Sequence, residues 1–240
     1  MTVHPEADAQ VRSNSCKPLA RWCVLHSVKL LHPVALAILF AAPGLYAQST
    51  WEIGGDIGYG WYRNGTIFGA GQTVEAGIRN RFATGAVVCE NLYDHFSGEI
   101  RYEYHDGHPF LSANGTAKDI QGQSHTFTYE VLIHLRGRDS RLRPYFAAGA
   151  GAKDFVIAGP APDPQPFPTV ATLNRNDEWK FVASLGPGVK YRINRHLIVR
   201  GDFRDYISPF PKGQIAPAAN NTARGLLQQF TPMFGISATW

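Results

Sequence analysis

Residues 51–63 read Trp51-Glu52-Ile53-Gly54-Gly55-Asp56-Ile57-Gly58-Tyr59-Gly60-Trp61-Tyr62-Arg63. The odd positions from 51 to 61 carry Trp, Ile, Gly, Ile, Tyr and Trp. The even positions carry Glu52, Gly54, Asp56, Gly58 and Gly60. In an extended chain successive side chains point to opposite sides, so this segment has one charge-free apolar face and one polar, glycine-rich face. Wound as a helix, the same residues would scatter both kinds around the circumference. The segment reads as a strand.

The same alternation recurs downstream. Eight segments are expected to be strands: 51–63, 82–92, 97–105, 124–135, 143–155, 178–193, 197–206 and 227–240. In the third, Ile100, Tyr102 and Tyr104 oppose Glu99, Arg101 and Glu103. In the fourth, Phe127, Tyr129, Val131, Ile133 and Leu135 oppose Thr126, Thr128, Glu130 and His134. The sixth sets Trp179, Phe181, Leu185, Val189 and Tyr191 against Lys180, Ser184, Lys190 and Arg192. The seventh sets Leu197, Val199 and Phe203 against Arg200, Asp202 and Arg204. Between the strand ends, no charge falls on these apolar faces.

A soluble sandwich would alternate in the same way, with inside and outside exchanged. Several features favour a closed transmembrane barrel, among them a polar face that mixes charges of both signs with many glycines, as a narrow, filled lumen requires. Links 93–96, 136–142 and 194–196 are short, while links 64–81, 106–123, 158–177 and 207–226 are long and rich in Gly, Pro, Asn and Ser, a ladder of short turns and long loops. Trp51, Trp61, Trp179, Tyr191 and Trp240 end the apolar faces, where amphipathic rings suit a membrane interface. The last strand alternates to a terminal aromatic, Trp240. The fold expected is all-β, an eight-stranded antiparallel up-and-down barrel. Pro187, flanked by Gly186 and Gly188, suggests a bulge, and Pro232 also falls inside a strand. The poorly alternating segment 82–92 is read with Glu90 inward and Cys89 outward.

Residues 33–45 form an apolar run after a basic stretch with Arg12, Lys17, Arg21 and Lys29. The run falls short of the roughly 20 apolar residues of a spanning helix. It reads as a signal peptide over residues 1–47, cleaved after Ala47, with residues 48–240 as the barrel domain. Two of the three cysteines leave with that leader, so Cys89 has no disulfide partner. The net charge of +4 includes the leader's basic stretch, and no basic block of the kind that nucleic-acid binding needs remains.

Several segments together resemble the outer-membrane β-barrel domain family that includes the transmembrane domain of OmpA. They are Trp51 to Gly55, Gly98 to Tyr102, Arg143 to Gly151, Leu185 to Val189, Arg200 to Tyr206 and the terminal aromatic strand. The resemblance implies the fold and an outer-membrane location, with both termini periplasmic. It implies no single activity, because this barrel hosts structural proteins, adhesins, small pores and lipid-modifying enzymes. On this reading the segment through Trp240 is expected to be the barrel alone, without the peptidoglycan-binding domain of OmpA.

The polar faces supply the candidate site: Glu52, Asp56, Glu99, Arg101, Glu103, Glu130, Lys180, Lys190, Arg192, Arg200, Asp202 and Arg204. They are read as a salt-bridged filling of a narrow lumen, with a charge-gated ion path as the alternative. His105, Asp106, His108 and His125 flank one long loop and are read as interfacial polar residues rather than a metal site. His196 is followed by Leu197 and Ile198, so the His-x-Ser motif of lipid A deacylase barrels is missing. The expectation is a non-enzymatic barrel with a structural or surface-interaction role through four extracellular loops, without cofactor. A narrow porin-like channel or carrier is the alternative, and a lipid A-modifying enzyme is a further one. The expected partners are outer-membrane lipid and lipopolysaccharide, the barrel-insertion machinery, which would read the terminal aromatic strand, and an extracellular ligand, with the protein a monomer.

Overall fold

The computed structural model describes residues 51–223 and 225–240. The expected leader, 1–47, lies outside the described residues. The strands run β1 Trp51–Arg63, β2 Gly65–Gly69, β3 Gln72–Ile78, β4 Arg81–Glu90, β5 Phe96–Asp106, β6 Pro109–Ala113 and β7 Thr116–Asp119. They continue with β8 Gly122–His134, β9 Leu142–Ile157, β10 Ala171–Leu173, β11 Glu178–Arg192, β12 Leu197–Pro209, β13 Ile215–Pro217 and β14 Leu226–Thr239. Eight of them close an antiparallel barrel in the order β1-β14-β12-β11-β9-β8-β5-β4. Closure leaves no strand edge unpaired, the condition for crossing hydrocarbon with strands.

The faces of the barrel are inverted relative to a soluble protein. Ile57, Ile100, Tyr129, Phe181, Phe234 and Ile236 stand exposed on the outer wall, while Glu52, Glu99, Arg101, Glu130, Arg200 and Arg204 are buried inside. Trp51, Tyr191 and Trp240 are exposed near the short-turn end, and Trp61 and Trp179 near the loop end. Trp51 and Trp61 are ten positions apart on one strand, which at about 3.3 Å per residue and a tilt of about 45° spans roughly the 25 Å apolar band of such barrels.

The long links are not irregular, as their composition suggests. They contain two further sheets, one of order β2-β3-β6-β7 and one of β10-β13. Ala70 and Gly71, at φ 48° and 73°, turn β2 into β3, and Asn114 and Gly115, at 50° and 77°, turn β6 into β7. Both are the two-residue positive-φ turns that match strand twist, and Asn-Gly is their strongest sequence signal. Ile67, Val74, Leu111, Ile120, Ile157, Phe167, Val170, Leu173, Phe210 and Ile215 form one buried apolar cluster in this loop layer. Tyr62, Ile78, Phe155 and Leu227 form a second, smaller one at the loop ends of the barrel strands. The loops fold into a cap with a core of its own.

Two local expectations are corrected. Cys89 is fully buried inside the barrel, with its Sγ 3.4 Å from Lys190 Nζ, and Glu90 lies on the other face. The inward face of β4 is therefore Ala83, Gly85, Val87 and Cys89. Small groups are needed there because Asp56 and Glu103 crowd the position that a side chain at Gly85 would take. A strand lining a filled lumen loses its polar signature, and its alternation with it. At Pro187 there is no bulge: pairing with β12 stops after Leu185↔Asp205 and resumes at Gly188↔Asp202 in the same register. Likewise, pairing of β14 with β1 lapses between Trp61↔Phe230 and Gly58↔Met233, where Pro232 sits, while its pairing with β12 is continuous. Each proline turns its missing N–H to a local gap in one ladder.

Candidate functional site

The lumen is organised around Arg101, which is completely buried. Its guanidinium lies 2.9 Å from Asp56, 2.7 Å from Glu99, 3.2 Å from Glu103 and 3.0 Å from Asp202. β5 delivers Glu99, Arg101 and Glu103 on consecutive inward positions, and Asp56 and Asp202 arrive from β1 and β12. Arg200 lies 2.9 Å from both Asp202 and Glu99. Arg204 lies 2.9 Å from Glu130 and 3.4 Å from Asp202. Lys190 closes the array at the short-turn side, 2.6 Å from Glu52. The planar guanidinium fork suits this role, since one arginine can satisfy several carboxylates at once.

Such pairing is obligatory. A lone charge taken out of water costs several kcal/mol, and the pair recovers that only when the remaining hydrogen-bonding positions are filled as well. Neutral groups fill some of them here. Tyr145 Oη donates to Asp202 and accepts from Arg200 at 3.1 Å, and Ser184 donates to Glu130.

The expected set of lumen residues does not act as one group. Glu52, Asp56, Glu99, Arg101, Glu103, Glu130, Lys190, Arg200, Asp202 and Arg204 converge. Lys180 sits apart at the loop end, partly exposed and paired with Glu178. Arg192 sits at the short-turn end, bonded to the Arg138 and Ser140 carbonyls. Sequence reasoning missed Tyr145 and Lys153 on β9 and Gln229 and Thr231 on β14. The signal was present: Arg143 fixes the inward parity of β9, and the exposed Phe234 and Ile236 fix that of β14. Lys153 donates to Gln229 and has the Tyr62 and Phe155 rings 5.3 and 5.1 Å away.

The histidines at the second long loop separate. His105 is buried in the lumen, 3.4 Å from Glu103. His125 lies on the opposite face, hydrogen-bonded to Tyr102 at 2.9 Å. His108 lies 3.4 Å from Asp106 and 3.5 Å from Asp119. These side chains do not meet at one point. A serine–histidine contact does occur inside the barrel, Ser97 Oγ to His134 Nε2 at 2.9 Å. His134 Nδ1 has no partner, so no acid orients the ring, and both residues are buried, with Ser97 also donating to Asn91. This contact links a turn to the wall of the lumen and presents no nucleophile to solvent.

The family model for the outer membrane protein β-barrel domain matches residues 33–223. No curated protein sequence matches the chain. Among solved structures, the outer membrane protein OprG from Pseudomonas aeruginosa is similar with a TM-score of 0.50 at 12% identity, covering 82% of this chain and 99% of that one. Neisserial surface protein A gives 0.48 at 9% identity, over 79% and 97% of the two chains. The N-terminal β-barrel domain of Pseudomonas aeruginosa OprF gives 0.44 at 14%, over 80% and 98%. At these identities the likeness to OprG is one of fold.

Proposed function

The chain belongs to the outer membrane protein β-barrel domain family, and we propose that within it this protein is a non-enzymatic barrel acting through its folded loop cap. The role is structural or one of surface interaction. One observation carries this reading: the bore is occupied by ion-paired side chains around Arg101, and the loops above it share a packed apolar core. Eight strands enclose a space that side chains nearly fill, so the exposed cap is the larger surface for recognition. The reading puts both termini and the short turns on the periplasmic side and the cap outside. The barrel stands as a monomer in lipid and lipopolysaccharide, and its terminal strand serves the insertion machinery during assembly.

The second reading, a narrow channel or carrier for small molecules, draws on a different observation. Between the ion-paired array and the cap, Tyr62 Oη, Ser124 Oγ, Thr126 Oγ1, His105 Nδ1 and Glu103 Oε2 have no hydrogen-bond partner in the protein. Groups of that kind favour a wet upper lumen. Planar-bilayer recording of the purified barrel separates the two. The capped barrel is expected to show little steady current. Stable nanosiemens-scale openings would put the channel first.

A further inference from the structure

We infer that the short-turn end of the barrel holds a binding site for a phosphate-bearing anion, a site that goes beyond the role of the cap and does not depend on it. A cavity of about 200 Å³ opens there, and its lining includes Arg138, Arg143, Arg192 and Arg195, with Asp139 as its one acidic residue. Arg138 comes from the β8–β9 turn, Arg195 from the β11–β12 turn, and Arg143 and Arg192 from the ends of β9 and β11.

The charge balance sets this place apart from the lumen a few residues deeper. There, Arg101, Arg200 and Arg204 each lie against two or more carboxylates. At the cavity, the hydrogen bonds of the arginines go to neutral acceptors. Arg143 donates to Asn91 Oδ1 at 3.3 Å and to the Asp94 carbonyl at 3.1 Å. Arg138 donates to the Asn91 carbonyl, and Arg192 to the carbonyls of Arg138 and Ser140. Among the described residues none of the four has a carboxylate within ion-pair distance.

Two further observations point to a ligand. Arg143 is only 6% exposed and so carries a largely buried charge whose hydrogen bonds reach neutral acceptors alone. The group is also held in place: Asn91, 4% exposed, is fixed by Ser97 Oγ at 2.9 Å, and Ser97 in turn by His134. Like charges gathered on neutral supports repel one another, and a counter-anion relieves that repulsion. A single fork satisfies a planar carboxylate, whereas guanidinium groups converging from separate turns suit the several oxygens of a tetrahedral phosphate. The ligand class is therefore phosphate, either free as orthophosphate or a phosphomonoester, or as the headgroup of an anionic phospholipid.

The test uses the full chain folded in octyl glucoside, a detergent without phosphate, titrated with inorganic phosphate by calorimetry against a chloride control at equal ionic strength. Saturable binding is expected. The double variant Arg138→Gln with Arg195→Gln, both in turns outside the barrel ladder, is expected to weaken it by about tenfold or more while remaining heat-modifiable. Arg143→Lys keeps the charge but loses the fork, and should weaken binding less than the double variant. The same titration in nanodiscs identifies the source. Binding retained in both phosphatidylcholine and phosphatidylglycerol discs supports a free phosphate. Binding lost only in phosphatidylglycerol supports a lipid headgroup already in the site. Absence of saturable binding by the wild type at millimolar phosphate, in detergent and in phosphatidylcholine discs alike, overturns the inference. So does unchanged binding in the folded double variant.

Discussion

The barrel wall and the loop cap are both built from antiparallel strands, under opposite rules. In the barrel, carboxylates and guanidinium groups are buried and Ile57, Phe181 and Phe234 face outward; in the cap, Val74, Leu111, Val170 and Leu173 are fully buried, while all of β7 is exposed. The change occurs within single strands. The inward face of β9 runs from Arg143 through Lys153 to Phe155 and Ile157, where it joins the apolar clusters of the cap. On β14, inward Leu227 at the loop end gives way to Gln229 and Thr231 below it. The outer solvent decides. Against lipid, polar groups gain by turning inward and pairing; against water, apolar groups gain by turning inward and packing.

If that contrast holds, the two regions should fail differently. The largest effect is expected at Asp202, which neutralises Arg200 and Arg101, with Arg204 nearby. Asp202→Ala leaves buried cations short of a partner and should cost about 3–5 kcal/mol, read as a lower urea midpoint for unfolding in detergent. A neutral effect would mean that water compensates the lumen, and the open-channel reading would gain. Next comes Leu111→Ala in the cap core, expected to cost about 2–5 kcal/mol. Its signature is local: faster hydrogen exchange in β2, β3, β6 and β7 with a heat-modifiable barrel unchanged. Loss of the entire barrel in this variant would show that cap and barrel fold as one unit.

The outer wall tests the contrast from the other side. Ile57 is 60% exposed at mid-strand, and Ile57→Arg should cost about 2–4 kcal/mol in lipid. In a protein whose wall met water the same change would be near neutral, so an unchanged unfolding midpoint from lipid bilayers would show that this face does not meet lipid. The smallest effect belongs to the exposed pair Arg81–Asp106 at 3.2 Å. Asp106→Ala should change stability by no more than about 1 kcal/mol, which sets a scale for the cost of breaking a pair inside the bore.

How far the site could be read depended on the strand. On β5 and β12, charged residues alternate with large apolar ones, so Glu99, Arg101, Glu103, Arg200, Asp202 and Arg204 could be assigned to the interior by parity alone. On β4 the interior positions are Ala, Gly, Val and Cys, chosen for small volume beside Asp56 and Glu103, and parity carries no sign there. Parity therefore cannot tell the inward Cys89 from the outward Glu90. Lys180 and Arg192 share the correct parity but lie beyond the ends of the buried array, because parity fixes a face and not a depth. The arginines of the cavity show the same limit: Arg138 and Arg195 lie in different turns, and only closure of the barrel brings them together.

The sequence by itself determined the period of the strands, the alternation of short and long links, and the solvent on each side of the wall. Each of these follows from local geometry and from the cost of placing a charge in lipid. Only the tertiary structure decided which opposite charges meet, that the long links carry sheets and a shared core, and that arginines from separate turns line one cavity. Those outcomes join residues far apart in the chain. Barrel closure sets their distances through strand register, and no local pattern of residues encodes that register.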